Sequence, residues 1–401
     1  MKIFKAISKP VLILSVVSFL TDISTEMLYP ITPLYLKSIG FTTVLIGVLE
    51  GFAEAVAGFS KGYFGELSDR KHIRVPFIKA GYWLSAVSRP LTVAFTFPLW
   101  VFGARFLDLL GKGIRTGARD AMLSDNSKNE NKATVFGFHR AMDTLGAVVG
   151  PSLGLLYLYF CPGSYKIMFL IAFIPGLLAG LTTFFLTEKK KAVEGKRKSF
   201  FASFAFIKNG PPEYKKLVWG LLFFTLFNSS NAFLILKIKE HGISDEIAIG
   251  AYIFYNLIYA TFSYPMGLLA DKIGLKKIFM LGLVFFTITY AGMAFNTGIA
   301  GFFILFFVYG LFMASTEGIT RAWISNTCSD KDTGTALGAY AGLNSIFTLL
   351  ASSIAGLIWF NYSPKATFLL TATITILVIF YFLLFVKGGV THKKTEHIHT
   401  H

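Results

Sequence analysis

Charge is what this chain has least of: 15% of its residues are Asp, Glu, Lys or Arg, against about 25% in an ordinary soluble protein. That shortage excludes a large water-soluble helical protein, whose surface these few charged side chains could not cover. Acids are the scarcer sign, 22 against 38 basic residues. Cysteine is nearly absent, with Cys161 and Cys328 alone. No Gly-x-x-x-x-Gly-Lys-Ser/Thr loop occurs, so direct drive by ATP is not supported; the run Gly111-Lys112-Gly113 lies inside an apolar stretch and lacks that spacing. Neither a nucleophile–base pairing nor a metal-ligand spacing stands out. That argues against an intramembrane enzyme built on Glu54, His139 or Asp143, and no cofactor or metal is implied. A cleavable leader is not evident either, because the first apolar stretch is too long and carries Asp22 and Glu26.

What is present is apolar. Hydrophobic residues make up 54% of the chain, and Phe alone fills 43 positions. A bilayer core about 30 Å thick takes roughly 20 apolar residues in helical form. That ruler picks out about twelve spans: 10–36, 43–67, 75–97, 99–121, 134–159, 165–187, 216–238, 246–269, 277–295, 298–325, 334–360 and 366–387. The expected fold class is therefore an all-α membrane protein, with the lipid bilayer as its solvent.

The net charge of +16 is read from its distribution. Lys2, Lys5 and Lys9 precede the first span, and Arg70, Lys71 and Arg74 follow the second. Lys189, Lys190, Lys191, Lys196, Arg197 and Lys198 fill the middle connection; Lys272, Lys276 and Lys277 follow the eighth span, and Lys387, Lys393 and Lys394 the last. With an even number of spans all of these fall on one side, whereas the opposite loops hold little beyond Lys37, Lys166 and Lys365. The positive-inside rule puts both termini in the cytoplasm, of a bacterial inner membrane in this reading. The basicity is thus a topology signal, and nucleic acid is not an expected partner. Cys161 and Cys328 fall on opposite sides, so no internal disulfide is expected. The organisation reads as a first half over 1–187, a lysine-rich connection over 188–215 ending in Gly210-Pro211-Pro212, a second half over 216–387 and a tail over 388–401. Phe200–Ile207 reads as a short amphipathic piece on the membrane surface. His392, His397, His399 and His401 in the tail read as solvated.

The halves are copies. Gly-x-x-x-Asp-Arg/Lys occurs at Gly65–Arg70 and again at Gly267–Lys272, 202 residues later, each time after a long apolar span and before further basic residues. Gly154-Leu-Leu-Tyr157 and Gly356-Leu-Ile-Trp359 share the offset. One departure is His72, where the second copy has Gly274, a residue better suited to a tight turn. With these features the chain resembles the major facilitator superfamily along its whole length: two six-helix halves, a long central loop, and a signature loop after helices 2 and 8. The resemblance implies that Asp69, Arg70, Asp271 and Lys272 belong to a cytoplasmic charge network that stabilises one alternating state. Helix 5 carries a second signature: Gly137, Gly146, Gly150, Pro151 and Gly154 resemble the antiporter motif of proton-linked exporters, with Leu155 where the motif ends in Gly. Read physically, the same glycines form a smooth face for close helix contact, and both readings stand at this point.

Ionisable groups within a bilayer cost at least ~2.5–3.5 kcal/mol each on insertion scales, so each needs a function or a partner. Asp22 and Glu26 stand one turn apart in helix 1, as do Glu50 and Glu54 in helix 2. In helix 4, Arg105, Asp108, Lys112, Arg115 and Arg119 form one polar stripe about 20 Å long. Helix 5 adds His139, Arg140 and Asp143, and helix 10 adds Glu317 and Arg321. The superfamily fold lines its central cavity with helices 1, 4, 7 and 10, which sets helix 1 acids opposite helix 4 cations. Asp22, Glu26, Arg105 and Asp108 are then the expected proton-coupling groups, with Arg105 moving toward or away from the acids. Arg115, Arg140, Asp143 and Arg321, near the cytoplasmic end, are expected to gate. The second half offers neutral groups on aromatic surfaces: Asn228, Ser229, Ser230 and Asn231, then Tyr252, Tyr255, Asn256 and Tyr259, then Tyr340 and Asn344. With Glu50, Glu54, Lys112 and Glu317 these form the expected substrate cavity. The expected function is secondary active transport by alternating access, as a monomer, exporting a small amphipathic organic compound against inward proton flow. Left open are proton-coupled movement of an organic anion or siderophore-like chelate, and a membrane receptor that does not transport.

Overall fold

In the computed structural model, which describes residues 7–29, 31–41, 43–161, 163–188, 202–228, 231–243 and 245–386, the described residues are helical almost throughout. The amino-terminal half comprises α1 (Lys9–Leu28), α2 (Thr32–Ser38), α3 (Thr43–Lys71), α4 (Val75–Ala94), α5 (Pro98–Asp125), α6 (Lys132–Phe160) and α7 (Tyr165–Thr182). After α8 (Ala202–Asn209) come α9 (Pro212–Phe227), α10 (Asn231–Glu240), α11 (Asp245–Ile273), α12 (Leu275–Phe295), α13 (Ile299–Asn326), α14 (Thr333–Asn361) and α15 (Pro364–Phe385). Proline in the first turn opens α1, α4, α5, α9 and α15, where its missing N–H has no helical partner to lose.

Twelve spans follow if α1 with α2, and α9 with α10, each count as one broken helix. The sequence reading drew both as continuous, over 10–36 and 216–238. The first is interrupted after Leu28, whose carbonyl accepts from the Ile31 N–H at 3.0 Å; the second ends at Asn228, whose backbone is extended. Seven of the described helices are apolar and long enough to cross a bilayer: α1, α6, α7, α12, α13, α14 and α15. Of the others, α2, α9 and α10 are shortened by the breaks, while α5 carries charged positions along its length. The surface is the inverse of a soluble protein's, with Leu384 75%, Phe360 88% and Tyr159 81% exposed on the outer face. In water such a belt would aggregate; in lipid it is the expected face. At the α4–α5 turn, the Phe95 and Trp100 rings stand 4.8 Å apart, and Trp100 donates Nε1–H to the Leu91 carbonyl at 2.6 Å, an interfacial anchor.

The seam between halves is one contact made twice. α3 packs on α14, and its counterpart α11 packs on α6. Glycine makes the approach possible: a Cβ on Gly65 would lie 2.5 Å from the Gly334 carbonyl oxygen, and one on Gly267 would meet the Ala133 carbonyl. Near the middle of the seam, α5 touches α13, the corresponding helix of the other half. Ser124 and Ser325 hydroxyls are 2.5 Å apart, and Asp120 pairs with Arg321 at 2.8 Å, both 201 positions apart. α8 bridges the seam, packing on α14 and α3 with Ile207 buried, so this piece docks on helices where the sequence placed it on the membrane.

Candidate functional site

The two signature aspartates lie at one end of the bundle, and each caps a helix of the other half. Asp69 accepts from Gly334 N at 3.2 Å, from Thr335 N and from Thr335 Oγ1 at 2.8 Å. Asp271 accepts from Ala133 N at 3.1 Å, Thr134 N at 2.7 Å and Thr134 Oγ1 at 2.6 Å. A helix N-terminus offers unpaired N–H groups and a partial positive charge, so a carboxylate from across the seam joins the halves. Arg74 ties this end together: it pairs with Asp69, reaches Asp125 at 3.4 Å, and its N–H donates to Glu188 at 2.6 Å. Arg70 and Lys272, expected in the same network, stand elsewhere. Arg70 lies 4.0 Å from Glu66 on its own helix, and Lys272 is exposed. His72 adopts φ 51°, and Gly274 adopts φ 107°; the first loop keeps the left-handed turn without its glycine.

Further in, more bonds cross the seam. Asp120 stands between Arg119 at 2.9 Å and Arg321 at 2.8 Å. Arg140 pairs with Asp143 on its own helix and with Glu317 on α13 at 2.9 Å. Lys61 Nζ donates to Ser345 Oγ at 3.1 Å. These ties gather toward the signature end, so the halves are fastened there. Cys328, in the α13–α14 connection at that end, is half-buried, and burial pushes its thiol up to about 12. Cys161 is exposed at the far end of α6.

Two turns in from the caps, α1 meets α6. The antiporter-like glycines of α6 face α1: a Cβ on Gly146 would lie 2.6 Å from the Phe19 carbonyl oxygen and 2.8 Å from Asp22 Cβ, and one on Gly150 would lie 2.7 Å from the Ile23 carbonyl oxygen. Gly154 faces Met27, while Gly137 faces Ser263 and Gly267 of α11. The stripe is a packing face, and it sets the Asp22 carboxyl beside Asp143, with Arg140 and Glu26 close by. Asp143 itself faces Arg140 on its own helix. One turn nearer the caps, Ser18 Oγ and His139 Nε2 are 3.0 Å apart.

The helix 4 stripe, now on α5, does not face the helix 1 acids as a unit. Asp108 pairs with Arg105 at 3.0 Å and with Arg89 of α4 at 3.4 Å, so Arg105 has its acid on its own helix. Arg115 donates to Ser85 Oγ at 2.6 Å and lies over the Tyr82 ring at 4.4 Å, inside the half and away from the seam. Lys112 alone of the stripe is exposed. Sequence spacing missed Arg89 and Asp120. Arg89 has no acid one turn away on its own helix, and Asp120 sits one place off the stripe's repeat.

Across the seam the tyrosines line up on α11. Tyr252 and Tyr255 rings meet edge to face at 5.2 Å, and Tyr255 packs on Tyr309 at 5.4 Å. The Tyr259 hydroxyl is buried with no partner, as is Asn228 Oδ1. Asn256 Nδ2 donates to the Tyr252 carbonyl at 3.1 Å, and Asn344 Oδ1 accepts from Thr225 at 2.8 Å. Both amides are engaged in helix packing. Tyr340 is half-buried near Glu317. Glu50, Glu54 and Asn231 side chains, Ser229, Ser230 and the histidine tail lie outside the described residues.

A family model described as Major Facilitator Superfamily matches residues 14–254 and 217–399. The chain belongs to this superfamily. The transporter is 35% identical over 379 residues to the uncharacterized MFS-type transporter MJ1317 of Methanocaldococcus jannaschii, covering 93% of this chain and 94% of that one. It is 24% identical to the multi-drug resistance efflux pump PmrA homolog of Lactococcus lactis, over 87% of this chain and 89% of the relative. Its fold matches the crystal structure of the superfamily transporter FucP in the outward conformation with a TM-score of 0.75, at 14% identity, over 94% of this chain and 98% of that one. It is therefore a multi-pass membrane transporter of a small molecule and not an enzyme.

Proposed function

We propose that this transporter exports a small amphipathic organic compound in exchange for protons. The halves over 1–187 and 216–387 rock about the connection over 188–215, with the signature end in the cytoplasm. The observation that carries the reading is the chain Asp22–Asp143–Arg140–Glu317, which sets two neighbouring carboxyls against an ion pair across the seam, and in this reading the carboxyls share a proton. Asp143 must be ionised to anchor Arg140. A proton arriving from the far side onto Asp143 removes that anchor, loosens the Arg140–Glu317 tie and favours opening at the signature end, where the proton leaves. Substrate then enters, and Asp143, again ionised, restores the tie. The glycine face of α6 supports the reading by sealing α1 against α6, and the resemblance to a drug efflux pump supports the outward direction.

The test is Asp143→Asn in proteoliposomes. The expected variant exchanges solute across the membrane without a gradient but no longer responds to a pH gradient. Unchanged pH-driven transport would remove Asp143 from the mechanism.

A further inference from the structure

α1 and α5 run side by side in opposite directions. Arg119 Nη1 donates to Ser18 Oγ at 3.4 Å, which sets their register. Two turns farther from the caps on both helices, Lys112 comes level with Thr25 and Glu26. Arg89 holds that level in place by donating to Thr25 Oγ1 at 2.8 Å. Lys112 is exposed, Glu26 is half-buried, and neither forms an ion pair among the described residues. Yet Lys112 is the cation that acts most strongly on Glu26. Two opposite charges thus stand at one level on neighbouring helices without an ion pair among the described residues.

The facing wall is aromatic. Glu26 lies near Tyr252 and Tyr255 of α11, whose rings meet at 5.2 Å. One turn toward the caps, the Tyr259 hydroxyl, on a residue 5% exposed, is buried without a partner.

We propose that Glu26 and Lys112 form a two-pronged subsite for a zwitterion, with the ligand's ammonium on Glu26, its carboxylate on Lys112 and its apolar body on Tyr252 and Tyr255. This rests on the exporter reading and names its substrate class. A ligand with both charges satisfies both prongs. A pure cation leaves Lys112 unpaired and approaches a like charge, and a pure anion does the same at Glu26; sites built around paired polar groups reject analogues that lack one. The tyrosine wall adds flat, sequence-tolerant area and quadrupole attraction for the ammonium end.

The test is a fluorescence titration of the purified full chain, with no gradient, using three probes that share one aromatic body. Nε-dansyl-lysine carries an amine and a carboxylate, dansylcadaverine only an amine, and dansylglycine only a carboxylate. The zwitterion is expected to bind about tenfold more tightly than either relative. Lys112→Gln should erase its advantage over dansylcadaverine, and Glu26→Gln its advantage over dansylglycine, with unfolding temperatures checked for both variants. Tightest binding by dansylcadaverine, improved by Lys112→Gln, overturns the proposal in favour of a cation site. Tightest binding by dansylglycine, or no binding of any probe, overturns it as well. Because the titration needs no transport, loss of proton-driven flux with this order intact would sink only the exporter reading.

Discussion

Asp22 and Asp143 do different work although they touch. In the proposed mechanism Asp22 supplies the proton of the carboxyl pair, and Asp143 accepts it and holds Arg140. Asparagine at Asp22 still donates an N–H to Asp143, so Asp22→Asn should keep much of the pH-driven flux, whereas Asp22→Ala should lose it. Equal loss in both variants would show that Asp22 itself exchanges the proton. The same scale explains His72, held at φ 51°, a conformation that costs an L-residue roughly 1–2 kcal/mol. His72→Gly should leave the unfolding temperature unchanged or raised. His72→Val should lower stability by on the order of 1–2 kcal/mol, since a β-branched residue is worse placed there; a thermal melt in detergent reads both. The sequence displayed Asp22, Glu26, Arg140, Asp143 and Glu317 as costly intramembrane charges, but one-turn spacing pairs residues only within a helix. Arg140 with Glu317 and Asp108 with Arg89 pair between helices, and no period in the chain reports that.

At the scale of the element, α6 shows how a small-residue stripe becomes chemistry. A side chain at Gly150 would strike the Ile23 carbonyl oxygen at 2.7 Å and the Met27 amide at 2.9 Å, backbone atoms that cannot turn aside. Gly150→Val should therefore push α1 from α6. The expected loss is about 1–3 kcal/mol of stability, together with faster collapse of a pH gradient in liposomes without solute. A stable variant with no leak would confine the stripe to packing. Helix existence and order were legible because apolar runs of bilayer length leave little choice. The breaks after Leu28 and Phe227 were not drawn, although Pro30 and Pro33 follow the first and the polar run Asn228-Ser229-Ser230-Asn231 marks the second. The α5 stripe was legible as polar but misread as facing the acids, because it turns mostly into α4.

Over the whole molecule, the duplicated signature loops foretold two halves, and the structure uses both copies in the same way, carboxylate to opposing helix N-terminus. Cys328 reports on this latch. In the closed arrangement its thiol is pushed up to about 12 by burial, so little thiolate exists near pH 7.5 and maleimide reacts slowly. In a Cys161→Ser background, Asp69→Asn weakens the cap on α14, exposes the connection and should speed Cys328 labelling about tenfold or more as the thiol returns toward its ordinary range. An unchanged rate would mean that Asp69 does not hold the gate.

The central claim is exchange, and its most direct measurement is proton movement on adding substrate. Proteoliposomes carrying an internal pH dye, with no imposed gradient, are given a solute that raises the unfolding temperature of the purified protein, and both fluxes are followed together. The account predicts protons moving opposite to the solute, with the coupled proton signal abolished in Asp143→Asn while solute exchange persists. Protons and solute moving in the same direction would contradict it.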